Sequence, residues 1–171
     1  MMKNELRLIS PELCEEQTLD TLKKLMYPYV RELDEHQGKT TPPQIVERFT
    51  ESILRMLTDR DRILLLYYVR NEAIGFGYGK VDRAEHKGVI RPGWGYIMEF
   101  YIVPQYRRGG YGTRLYRELE RRLCERGVRA LYLTADPVTG VPFWQRMGYG
   151  NSGLISSENQ LYIYEKRLLD S

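Results

Sequence analysis

Apolar and polar positions along the chain switch between a two-residue and a helical period. Glu5 to Ser10 (ELRLIS) alternates, as a strand with one buried face does. Ser10-Pro11-Glu12 then signals a helix start, with Pro11 in a first-turn position where a missing N–H costs nothing. Leu13, Leu19, Leu22, Leu25 and Met26 recur at roughly helical spacing, and Pro28 is expected to kink or interrupt that helix before Tyr29 and Leu33. Gly38 to Pro43 reads as a loop. Beyond it, Ile45, Phe49, Ile53, Met56 and Leu57 mark a second amphipathic helix.

Arg62 to Arg70 (RILLLYYVR) is almost continuously apolar, which fits a central strand buried on both faces. A hairpin turn at Asn71-Glu72 is expected to lead into a partner strand, Ala73 to Val81, lightened by three glycines. Asp82 to Gly95 reads as a loop and Tyr96 to Val103 as a strand. Leu115, Leu119 and Leu123 space a helix that stops near Arg126-Gly127. Ala130 to Thr134 is a strand, Thr139 to Met147 a short helix with Pro142 in its first turn, and the regions 149–155 and 160–167 are two more strands. The order β-α-α-β-β-β-α-β-α-β-β, without internal repeat or linker, predicts one α/β (α+β) domain over residues 1–171, a mixed sheet with helices packed on it.

Composition narrows the class. Apolar residues make up 42% and charged residues 29%, as in folded, soluble proteins. No apolar run is long enough to cross a bilayer, and MMKNELRLIS lacks the apolar core of a signal peptide, so no membrane association and a cytoplasmic location are expected. Cys14 and Cys124 are too few and too far apart for a metal cluster or a disulfide framework, so no metal is expected. The net charge of +3 is modest, and the arginines between Arg107 and Arg129 are interrupted by Glu118, Glu120 and Glu125. That pattern argues against specific nucleic-acid binding and fits a solvated helix face. Arg107 and Arg108, at the turn, fit a small anionic ligand better.

The stretch VPQYRRGGYGT, Val103 to Thr113, carries the chemistry. A strand ends at Val103-Pro104 and a helix starts near Gly110. The first turn of a helix has N–H groups without intrahelical partners, and its dipole adds partial positive charge. Gly109, Gly110 and Gly112 remove the side chains that would hold a ligand away from those amides. The product is an anion pocket suited to a diphosphate. A P-loop is excluded by the missing Gly-Lys pair, and a dinucleotide fingerprint by the missing third glycine and the late position.

Arg107-Arg108-Gly109-Gly110-Tyr111-Gly112 resembles the Arg/Gln-x-x-Gly-x-Gly/Ala motif of the GNAT superfamily, the acyl-CoA-dependent N-acetyltransferases. Glu99 to Pro104 looks like that family's splayed fourth strand, and Phe143 to Tyr149 is similar to its later aromatic segment. The resemblance implies a mostly antiparallel sheet of about seven strands flanked by four helices. It implies acetyl-CoA as co-substrate, with the amides from Arg108 to Thr113 on the pyrophosphate. The main chain of Tyr101 and Val103 would lie along the pantetheine arm, and Ile102, Asp136, Phe143 and Trp144 would complete that side. Two residues depart from the pattern. Trp144 stands where many members carry a tyrosine that protonates the leaving thiolate, and Pro137 where a polar residue often bonds the pantetheine. Asp136 either compensates for Pro137 or only caps the following helix.

Acetyl transfer to an amine needs a base, an oxyanion donor and a leaving thiolate. Glu99 is a lone carboxylate in an apolar strand, so burial should raise its pKa and suit it to act as base or to orient the amine. The oxyanion donor is the Ile102 or the Val103 amide, and the resemblance favours Val103. Either Tyr149 or Tyr111 replaces the missing tyrosine, or the thiolate leaves unaided. Acceptor contacts are expected from Tyr29, His36 and Glu99, with Asp34 and Glu35 nearby, and from the last hairpin. The expected acceptor is a small-molecule or peptide primary amine, and the expected state a monomer or homodimer. The competing readings are a non-catalytic acyl-CoA-binding or sensing module and an enzyme for a longer acyl group.

Overall fold

Residues 3–13 and 15–169 are described by the computed structural model. Among them, seven strands and four α-helices follow in the expected order. They are β1 (Asn4–Ile9), α1 (Glu16–Gln37), α2 (Pro43–Met56), β2 (Arg62–Val69), β3 (Glu72–Val81), β4 (Gly95–Ile102), α3 (Tyr111–Glu125), β5 (Ala130–Thr134), α4 (Gly140–Arg146), β6 (Gly150–Ile155) and β7 (Tyr162–Arg167). One sheet runs β1-β2-β3-β4-β5-β7-β6, and every pairing in it is antiparallel except β4 with β5.

The apolar run of β2 reflects burial on both faces. Ile63, Leu65, Tyr67 and Val69 pack with Leu115, Leu119 and Leu123 of α3. Leu64 and Leu66 face the other way, onto Leu22, Leu25 and Met26 of α1 and Val46 and Ile53 of α2. Each such fully buried aliphatic side chain contributes about 1.5–3 kcal/mol. The sheet is therefore clamped between two cores, α1 and α2 on one side, α3 and α4 on the other. At Gly75 no side chain fits, because a Cβ would stand 2.4 Å from the Tyr101 carbonyl oxygen on β4.

Three local expectations change. Pro11–Leu13 forms a separate 3₁₀ turn, and α1 begins only at Glu16. Pro28 does not end α1, which continues to Gln37; it forfeits one i→i−4 bond in a helix held by its buried face. The β2–β3 turn is centred on Arg70-Asn71, both left-handed (φ 50° and 66°), one residue earlier than the sequence suggests. Cys14 lies outside the described residues, and Cys124 is a free thiol. No helix among the described residues is long and apolar enough to cross a membrane, and none of their acidic, histidine and cysteine side chains gather as a metal site.

Candidate active site

β4 makes the site by leaving its neighbour. It pairs with β5 only at Gly95↔Leu131 and Tyr96↔Tyr132. Beyond that point the strands diverge. On its other edge β4 carries one extra residue, Met98, between the pairs Gly79↔Ile97 and Tyr78↔Glu99. Such a bulge bends a strand and re-aims its side chains. A cavity of about 860 Å³ opens in the gap, lined by α1, β4, the turn before α3, the start of α4 and the loop between β6 and β7.

The direction of the β4 backbone corrects two expectations. The Val103 N–H donates to the Ile74 carbonyl at 2.8 Å, so it faces β3 and is not free to hold an oxyanion. The Tyr101 carbonyl also faces β3, close against Gly75. Backbone groups alternate along a strand, so Tyr101 and Val103 both bond inward while Phe100 and Ile102 present theirs to the cleft. The Ile102 carbonyl shows this by accepting Arg107 Nε at 2.8 Å from outside the sheet.

Glu99 sits at the divergence and lines the cavity. Tyr29 of α1 donates its hydroxyl to Glu99 Oε2 at 2.5 Å. Burial pushes the Glu99 carboxyl up to about 7, and the Tyr29 bond keeps it from rising further. Burial and the charge of Glu99 together drive the Tyr29 phenol far above its ordinary range, and the Phe100 backbone at the same hydroxyl offsets only part of that. Tyr96 completes the group. Its ring stacks on Tyr132 at 4.6 Å, and burial with the carboxylates of Glu99, Glu158 and Asp82 pushes its phenol up to about 12. A carboxyl near neutrality can take a proton at physiological pH.

The glycine turn lies in the same cavity through Arg107, Arg108, Gly110, Gly112 and Thr113. Arg108 and Gly110 are left-handed, at φ 63° and 83°. The first helical bond of α3 runs from the Arg114 N–H to the Gly110 carbonyl at 3.1 Å, so the amides of Tyr111, Gly112 and Thr113 precede it and have no helix partner. A Cβ on Gly110 would meet no atom within 4 Å. The Gly109 and Tyr111 side-chain positions do not line the cavity. The ring of Tyr111 packs on Tyr67 and Tyr106 at 5.5 and 5.7 Å. Arg107 turns towards α1, with Nη1 and Nη2 donating to the two Glu32 carboxylate oxygens at 3.0 and 2.6 Å.

Trp144 and Phe143 form an aromatic wall. Trp144 meets Phe143 at 4.8 Å, Phe100 at 5.0 Å, Tyr116 at 5.4 Å and Tyr149 at 5.5 Å between ring centroids. Tyr149 points its hydroxyl at that of Tyr116, 3.2 Å away, inside the core, so neither it nor Tyr111 reaches the cavity. Asp136 does line it. Its Oδ2 accepts the Thr139 N–H and hydroxyl at 2.9 and 2.8 Å and meets His36 Nδ1 at 2.9 Å, while Oδ1 is buried without a partner. His36 is therefore tied to Asp136 and is not itself in the lining. Asp34 is spent on the Thr41 N–H and hydroxyl, and neither it nor Glu35 lines the cavity.

Sequence reading missed Glu32, Tyr96, Glu158 and Asn159, all in the lining. Tyr96 had a signal, an aromatic at the start of the strand that carries Glu99. Glu158 and Asn159 lie in the last hairpin, where acceptor contacts are expected, but nothing in the sequence singles them out; the docking of their loop, through Asn159 Nδ2 on Thr134 Oγ1 at 2.9 Å, brings them in.

A seven-stranded sheet opened between its fourth and fifth strands, with a glycine turn beside the opening, defines a family as well as a fold. The chain belongs to the acetyltransferase (GNAT) family, whose model matches residues 23–149. No curated protein matches it by sequence. Among solved structures it resembles the PaiA N-acetyltransferase of Thermoplasma acidophilum in complex with coenzyme A, at 18% identity and TM-score 0.69 over 96% of this chain and 99% of that one. An acetyltransferase from Thermus thermophilus aligns at 17% identity and TM-score 0.70 over 97% of each chain. Aminoglycoside 6'-acetyltransferase type Ii aligns at 17% identity and TM-score 0.69 over 98% of this chain and 99% of that one.

Proposed function

We propose that the protein moves an acetyl group from acetyl-CoA directly to a primary amine. One observation carries the reading. A carboxyl raised to about 7, Glu99, shares a cavity with an amide cradle at the head of α3 that no side chain at Gly110 obstructs. The residues fit coenzyme A at three points. Tyr111, Gly112 and Thr113 offer amides to the diphosphate, with Arg108 adding charge. The cleft-facing Phe100 carbonyl offers a strand-like acceptor to a pantetheine N–H, in place of Tyr101 and Val103, since Arg107 holds the Ile102 carbonyl and the Phe100 N–H meets the Tyr29 hydroxyl. The unpartnered Asp136 Oδ1 offers an acceptor for a pantetheine N–H.

Bound there, acetyl-CoA supplies an activated acyl group. Glu99 takes a proton from the acceptor ammonium, whose ordinary pKa of about 10.4 keeps it charged at neutral pH. The Ile102 N–H, free of the sheet, is the donor placed to hold the carbonyl oxygen as it gains charge. Phe143 and Trp144 exclude water from one side. Glu99 and Glu158 make the acceptor end acidic, which suits a cationic amine.

Trp144 favours a second reading, a module that binds acyl-CoA without turnover, because an indole supplies no proton. A thiol-release assay with acetyl-CoA and a panel of spermidine, lysinamide, kanamycin and short peptides separates the two. Amine-dependent release of thiol supports transfer. Tight binding of acetyl-CoA with no release across the panel supports the sensor.

A further inference from the structure

Loss of the α4 tyrosine leaves the leaving sulfur without its usual proton source, and the cavity contains another. Among the described residues, three tyrosines line it, Tyr29, Tyr96 and Tyr101. Tyr96 lies flat on Tyr132 with its hydroxyl at Thr134. Tyr101 lies beneath the Arg107 guanidinium, near Glu32. Tyr29 alone of the three is hydrogen-bonded to Glu99. Its ring is fixed edge-on to Phe76 at 5.4 Å and tilted against Tyr101 at 5.5 Å.

We propose that Tyr29 is a catalytic residue that carries the acceptor's proton from Glu99 to the departing sulfur. The proposal rests on the amine-transfer reading above. In the resting site Glu99 is a carboxylate and accepts the Tyr29 O–H. Glu99 takes one proton from the ammonium, and the freed nitrogen bonds to the acyl carbon. Glu99 is now an acid, so the bond to Tyr29 reverses. The Glu99 O–H donates to the phenol oxygen, and the phenol hydrogen turns into the cavity. As the carbon–sulfur bond breaks, Tyr29 hands its hydrogen to sulfur and receives that of Glu99. Glu99, a carboxylate again, removes the second proton from the acylated nitrogen and releases it to water. The ammonium has lost two protons, one now on the thiol and one in solvent.

The energetics run the right way. A thiolate of about pKa 8.5 takes a proton downhill from a carboxyl near 7. Tyr29 never has to ionise, which suits a phenol held far above its ordinary range.

The test compares Tyr29→Phe with the parent on acetyl-CoA and on its selenoester analogue, with spermidine and lysinamide as acceptors. A selenolate leaves without a proton. The variant should lose about 100-fold in kcat with the thioester and under about threefold with the selenoester. Its Kd for coenzyme A by calorimetry should stay within about twofold, which also reports a folded site. In the free protein, carboxyl NMR should show Glu99 titrating above the parent value, because the bond that lowers it is gone. Equal losses with both donors, or no loss with either, would overturn the relay while amine-dependent turnover by the parent left the transfer reading standing. No amine-dependent turnover by the parent would overturn both.

Discussion

Arg107 forks onto both carboxylate oxygens of Glu32, at 3.0 and 2.6 Å, and with its third nitrogen holds the Ile102 carbonyl at 2.8 Å. One side chain thus joins the turn before α3, helix α1 and the last residue of β4. The guanidinium also lies 5.5 Å from the centre of the Tyr101 ring. This arginine, from the motif that suggests anion binding, is occupied by the protein itself.

A division of labour between the adjacent arginines follows. Glu32→Gln should lower the unfolding free energy by about 1 kcal/mol, the scale of a half-buried bidentate pair. Arg107→Gln should cost more, since Ile102 also loses its partner, yet leave coenzyme A affinity within about threefold. Arg108→Gln should weaken coenzyme A about tenfold with little change in stability. Denaturant melts and calorimetry measure the two effects. Equal losses of affinity at both positions would mean that Arg107 leaves Glu32 for the diphosphate.

Gly110 governs the cradle by its conformation and its emptiness. At φ 83° a side chain costs about 1–2 kcal/mol, and at this position it would project into open space at the cavity. Gly110→Glu should weaken coenzyme A at least about 100-fold, because a carboxylate then occupies the place of the diphosphate. Gly110→Asn tolerates the left-handed backbone and should keep the fold, weakening coenzyme A less than the glutamate variant because it adds bulk without charge. Unchanged affinity in the glutamate variant would remove the diphosphate from this turn.

The fold was readable because its signals are local. The doubly buried run of β2 and the glycine turn each state their role within ten residues; the period of β1 marks a strand but not its burial, since Leu8 is exposed and Ile9 packs into the core opposite Leu6. What escaped depends on a neighbour. The sequence could not show that Met98 is an extra residue in β4, and that residue sets where the cleft-facing groups fall after Glu99. Placing Tyr101 and Val103 along the cleft by resemblance is off by one residue, which in a strand reverses the direction of every backbone group; Ile102, the alternative donor, is the one whose groups leave the sheet. Glu32 was invisible for a related reason. Its partner lies 75 residues away and carries a motif that points elsewhere. Glu99 was legible because a charge in an apolar strand is costly enough to demand an explanation.

Glu99 links activity and stability in opposite senses. In the role of base proposed for it, it must be ionised, so kcat/KM should rise with pH through about 7, and Glu99→Gln should lose that limb together with most of the rate. Its folded pKa lies above the ordinary value of 4.5, so the native state binds the proton more tightly than the unfolded chain. Stability from this group is therefore full below 4.5 and declines as pH rises through about 7. Glu99→Gln should melt higher than the parent at pH 8, by about 1–3 kcal/mol, with the gap closing near pH 4. Parallel stability curves would show that the carboxyl is not held in a raised state.

Asp136 makes the opposite case at the far wall of the cavity. Burial alone would raise its carboxyl, but the Thr139 amide and hydroxyl and His36 outweigh burial and hold it below the ordinary value of 3.8. Its contribution to stability is present above that value and lost as pH falls through the folded one. Asp136→Asn should cost about 1–2 kcal/mol at pH 7, as expected for a weakened cap and a lost charge, and progressively less in acid. Because His36 lies in the last turn of α1 and Asp136 in the turn before α4, their bond fastens α1 to the far bank of the cleft. Combining Asp136→Asn with His36→Ala should give a coupling of at least about 0.5 kcal/mol in a double-mutant cycle of unfolding. Strict additivity would mean that α1 is not held across the cleft by this pair.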